Sequence, residues 1–249
     1  MLACALVGLA GFTEISSVRY TPPPDRGTPR SERGTGSRGD CLYQANLPPM
    51  AALVGEPHLL LTVSDRPTLW AYLPYTTADV SHAEIIFQSD SSDQEIYRGF
   101  FPLSATPGIT GIRLPAAAPA LAVDETYRWY IDIPCSSVSS DSAPATLTGV
   151  AKRVATSPEL TQALEASSTP TEAIAAYGEH HIWYELLSTL AEYRLSAETE
   201  AQQPEQTVFE QLWIDMLRDE AGADLGEYAE VPLLGIVMVE AIATSSQLK

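Results

Sequence analysis

Basic residues are scarce. Fourteen Lys and Arg stand against 32 Asp and Glu in 249 residues, a formal charge of −18. Wrapping nucleic acid or lying on an anionic lipid surface needs the opposite sign, so both roles are excluded. Histidine is scarce too, with His58, His82, His180 and His181 making up the full set of four. The patterns H-E-x-x-H, G-x-S-x-G, G-x-x-x-x-G-K-[ST] and C-x-x-C are all missing, which removes the best-marked routes to zinc, serine, phosphate and dithiol chemistry. Long apolar runs are missing as well. Residues 1–12 (MLACALVGLAGF) and the apolar stretch 233–239 both fall short of the roughly 20 residues that span a bilayer, so no transmembrane helix is expected.

What is present is a globular composition, 45% apolar and 18% charged, in a chain long enough for a large core. The charge is uneven. Residues 1–39 carry a net +2, residues 40–154 a net −6 and residues 155–249 a net −14. Charge and composition together divide the chain into four parts. Residues 1–17 read as a truncated signal peptide: residues 1–12 fit the apolar core of an export signal, Gly8-Leu9-Ala10 offers small residues for cleavage, and the preceding basic segment is missing. Leu2-Ala3-Cys4 alternatively suits the end of a lipoprotein signal. Residues 18–40 are rich in Pro, Gly and Arg, a linker that cannot bury apolar surface. Within it Gly34, Gly36 and Gly39 match G-x-G-x-x-G, but an Arg/Pro tail precedes them where a dinucleotide site needs a strand. Arg38-Gly39-Asp40, a cell-adhesion tripeptide, is a match of chance length.

Residues 41–154 show period-two alternation over seven segments: 59–63, 68–73, 83–89, 95–101, 110–114, 127–133 and 146–153. Tyr127, Trp129, Ile131 and Ile133 share one face, and residues 121–127 have the pattern of a tyrosine corner. Seven short strands over about 100 residues predict an immunoglobulin-like or fibronectin-like antiparallel β-sandwich. Cys41 and Cys135 bracket it. In an exported chain they are expected to pair, closing a loop whose entropy contributes about 4–5 kcal/mol; in a reducing compartment they are two buried thiols.

Residues 155–249 predict an acidic α-helical hairpin subdomain. Ser157-Pro158 and Thr169-Pro170 place a cap before a first-turn proline. The second pair is expected to open one long helix to about Leu195, with Ile182, Trp183, Leu186, Leu187, Leu190 and Tyr193 on an apolar face and His181, Glu185, Ser188 and Glu192 on a solvated one. Thr207 and Glu210 form a capping-box pattern opening a second helix, with Gly222 as its stop, and residues 196–206 between the two read as a mobile loop. The apolar stretch 233–239 reads as a core segment. The fold class expected is therefore α+β: a sandwich followed by helices that pack on each other and on it.

The assembled stretches resemble Domain of Unknown Function 928, a family found mainly in cyanobacteria. The resemblance lies in PPPDRGTPRSERGTGSRGDC at 22–41, LTVSDRPTLWAYLPY at 61–75, residues 84–89 with Ile96-Tyr97, Pro107-Gly108-Ile109, residues 127–133 and HIWYELLSTLAEYR at 181–194. It implies a frequent export signal and no assigned activity. Genes of this family tend to lie beside those of sensory and haemagglutinin-like secreted proteins, which implies an envelope or secretion-related setting. The acidic segment 198–205 and the shortened export signal depart from the family pattern.

No catalytic residue, cofactor or metal site is assigned. His181 and Glu185, one helical turn apart, are the best metal pair, but two ligands do not make a zinc site and a solvated i,i+4 pair is the simpler reading. The aromatics are the better binding candidates: Trp70, Tyr72, Tyr75, Trp183 and Tyr184, with His181 beside them. Burial of Trp70 and Tyr72 where helices meet the sandwich is the competing expectation. The function expected is a non-enzymatic protein-binding or assembly module in the periplasm or outer envelope, with a protein partner there. The alternatives are a glycan-acting envelope hydrolase using unmarked carboxylates and a small-ligand-binding sensor accessory.

Overall fold

Short segments rich in β-branched and aromatic residues, several with alternating burial, build the middle of the chain. In the computed structural model the residues described are 18–21, 23, 46–54, 60–134, 144–196, 203–220 and 225–241, the side chains at 203–206 and 219–220 apart. Eight strands come first: β1 (Ala51–Ala52), β2 (Leu61–Thr62), β3 (Thr68–Leu73), β4 (His82–Ser89), β5 (Glu95–Pro102), β6 (Gly108–Arg113), β7 (Thr126–Ile133) and β8 (Ala145–Arg153). Helices α1 (Pro158–Ala166), α2 (Pro170–Glu179), α3 (Trp183–Ser196) and α4 (Gln203–Asp215) follow, then β9 (Leu233–Met238) and β10 (Glu240–Ala241). The architecture is α+β, strands first and helices towards the C-terminus. No described helix is long and apolar enough to cross a membrane.

The strands form two sheets, of order β1-β3-β6-β9 and β10-β5-β4-β7-β8-β2. In β4 and β7 every second residue is buried, so each strand lays one face on the core and one towards solvent. In β3 all six residues are buried, because helix α3 covers the face that the other sheet does not. Each sheet seats a tryptophan on a cross-strand glycine. Trp70 stands opposite Gly111 and Trp129 opposite Gly149. A Cβ on Gly149 would lie 2.1 Å from the Trp129 ring and one on Gly111 2.8 Å from the Trp70 ring. The missing side chains make room for the indoles.

One apolar core runs through both sheets and continues into Trp183, Leu186, Leu187 and Leu190 of α3 and Phe209, Leu212 and Trp213 of α4. A small second cluster of Leu160, Ala176 and Ile182 ties α1 to the end of α2. The Tyr127 hydroxyl accepts the Ala122 N–H at 2.9 Å, the bond expected of a tyrosine corner. The two proline caps form as the sequence predicts: Ser157 accepts from the Leu160 N–H, and Thr169 and Glu172 close a capping box.

Several expectations need correction. The sheets are mixed rather than antiparallel, since β2 runs parallel to β8 and β6 parallel to β9. The β6–β9 pair spans the whole helical region, so the chain leaves the sheet, folds its helices, and returns in the same direction. Residues 233–239 are an edge strand followed by buried Val239, not a wholly buried segment. At Val239 the chain crosses from one sheet to the other, where β10 pairs with β5. The single long helix is two. His180 ends α2 with its N–H on the Ala176 carbonyl, and His181 takes a left-handed φ of +67° before α3 begins. Residues 18–21 pack into that corner: Thr21 N–H donates to Gly178 O at 3.2 Å, and Tyr20 meets Trp183 edge-on at 4.9 Å. Helix α4 begins at Gln203, so Thr207 sits inside it; Pro204 suits a first turn, where its missing N–H costs nothing. The expected signal peptide, the Cys41–Cys135 pairing and the Gly222 stop lie outside the described residues.

Candidate functional site

Helix α3 turns two of its polar residues, Glu185 and Ser188, towards the strands. Glu185, Ser188 and Glu192 repeat at i, i+3 and i+7 and so share one face. That face meets strands at its first two positions and reaches solvent at exposed Glu192. The Glu185 carboxylate accepts the Thr62 hydroxyl at 2.6 Å, the Ser64 N–H at 3.1 Å and the Val63 N–H at 3.3 Å. Ser188 Oγ accepts the Trp70 indole N–H at 3.0 Å, and Glu192 pairs with Arg113 of β6. Burial pushes the Glu185 carboxyl above the usual carboxylate range, and its three hydrogen bonds oppose that shift. Tyr177, on the neighbouring helix, is raised by burial and further by the Glu185 charge. His181 lies before α3, not within it, and its Nδ1 meets the Thr21 carbonyl. Among the described residues no group of three or more His, Cys, Asp or Glu could hold a metal ion.

The aromatic candidates are inside. Trp70, Tyr72, Tyr75, Trp183 and Tyr184 are all at most 5% exposed. Their polar atoms are directed to partners within the fold. Trp183 Nε1 donates to Leu53 O at 2.9 Å. Trp129 Nε1 donates to the Tyr184 hydroxyl at 3.0 Å, which donates in turn to Val150 O at 2.9 Å. The Tyr72 ring packs on Tyr228 at 5.2 Å. Trp70 and Tyr72 therefore sit where the sheet meets the helices, the burial expected as the alternative to exposure. Of the residues singled out, His181 alone retains a partly exposed side chain.

The surface feature that stands out is one that the periodicity did not mark as a site. Strand β9, LLGIVM, is the last strand of its sheet, and among the described residues no strand pairs with its outer side. An edge strand presents alternate N–H and C=O groups with no ladder partner. Its five residues from Leu233 to Val237 are half-buried, and Met238 is 50% exposed, the most exposed large apolar side chain described. The ladder to β6 is irregular beside Gly235 and regular from Ile236 to Met238, opposite Gly111 to Arg113. Gly235 has a φ of +109°, and a Cβ placed there meets nothing within 4 Å, so the glycine serves the backbone turn and leaves open space above it. Glu230, three residues before the strand, is ion-paired with Arg218, and Glu240 after it already belongs to β10 of the other sheet.

The signal for this edge was the uniformly apolar composition of 233–239. A buried strand has the same composition, so the sequence pattern alone does not separate the two.

A family model described as Domain of Unknown Function (DUF928) matches residues 33–233, most of the chain. Comparison with curated proteins and with solved structures gives no significant match. The matched segment contains β1 through β8 and all four helices, and it ends on the first residue of β9.

Proposed function

The chain belongs to the DUF928 family, and on that premise we propose that it is a non-enzymatic protein-binding or assembly module of the cell envelope, which engages its partner by strand addition at β9. The open apolar edge of β9 carries the proposal: a partner strand would satisfy its unpaired backbone groups and bury its half-exposed side chains. The interior supplies the rigid support. With Trp70, Tyr72, Trp183 and Tyr184 committed to the core, the sheet behind the edge is held by packing that binding need not disturb. The apolar run at residues 1–12 supports export to the periplasm or outer envelope, where Cys41 and Cys135 would be able to pair. The Tyr127–Ala122 bond supports reading the two sheets as a relative of the immunoglobulin-like sandwich, with added parallel strands.

The test is site-specific photo-cross-linking in intact cells. A cross-linker at Met238 should give a discrete adduct with a protein of the envelope fraction. The same group at Val123, 42% exposed and in the segment that leads into β7 of the other sheet, should give none. Equal labelling from both positions, or a protein that stays in the cytosol, contradicts the proposal.

A further inference from the structure

We draw no further inference here: the strongest candidate, the outer face of β4, β5, β7 and β8 around half-buried Tyr130, has its Arg98 and Arg128 already ion-paired with Glu84, Glu95, Asp90 and Asp93, and nothing in the structure shows what covers it.

Discussion

Removing the Glu185 carboxylate should loosen the joint between α3 and the strand sheet. The substitution Glu185→Ala takes away the acceptor of three hydrogen bonds. The consequences at the three donors differ. Ser64 N–H keeps a second acceptor, the Thr62 hydroxyl oxygen at 3.0 Å. Val63 is partly exposed, and water can take the place of the carboxylate there. The Thr62 side chain is 0% exposed and loses the acceptor of its hydroxyl proton. One buried donor left unsatisfied costs about 1–3 kcal/mol and the exchange of a charge-assisted bond for water adds about 1 kcal/mol, so a loss of about 2–4 kcal/mol is expected. Urea unfolding followed by tryptophan fluorescence reads it directly. A loss below about 0.5 kcal/mol, the level of an ordinary surface substitution, would refute the argument that the polar face of α3 is structural.

The same residue sets a pH signature. Burial raises the folded-state pKa of Glu185 above its ordinary value of 4.5, so the folded protein holds this proton more tightly than the unfolded chain does. The stabilisation is full below the ordinary value and is lost as pH rises through the folded-state pKa. Against a Glu185→Gln variant, which does not titrate at this position, the wild type should therefore become relatively less stable as pH rises across that window. A difference that is flat in pH, or of the opposite slope, would contradict the assignment.

Three further outcomes follow from the packing. Gly149→Ala places a methyl group 2.1 Å from the Trp129 ring and should cost about 1–3 kcal/mol in urea unfolding, with a change in near-ultraviolet circular dichroism from the displaced indole. Tyr127→Phe removes the acceptor of the Ala122 N–H and should cost about 1 kcal/mol with little change in spectrum; no change in stability would mean that water replaces the bond. Tyr20→Ala strips a 4%-exposed ring from its edge contact with Trp183 and should cost about 3–5 kcal/mol, which would place residues 18–21 within the cooperative fold although the family match begins only at residue 33.

Strands β4, β7 and β8 were legible because their burial alternates and alternation survives in sequence. The two proline-led caps were legible because their chemistry is local. What failed to show depends on partners far along the chain. Glu185, Ser188 and Glu192 look solvated on a helical wheel, yet they meet Thr62, Trp70 and Arg113, which lie 123, 118 and 79 residues away. The break at His181 is fixed in place by Thr21, at a separation of 160 residues. Strands β1 and β10 pair over two residues each, too short to leave a period. Strand β9 is apolar at every residue but Gly235, a composition shared by buried strands and buried helix segments, so neither its place at the edge nor its parallel pairing was visible. The aromatics were found by residue type and assigned by it to a surface. The cross-strand glycines and the covering helix, which put them inside, are three-dimensional facts.

The central claim is that β9 is the docking edge. Amide hydrogen exchange of the full chain, free and with an apolar strand-forming peptide of alternating Val and Thr, tests it most directly. The account predicts that amides of β9 exchange faster than those of β6 in the free protein and slow markedly when the peptide binds, with β4 and β7 unchanged. Slow exchange across all of β9 in the free protein, or protection appearing on another element when the peptide binds, would contradict it.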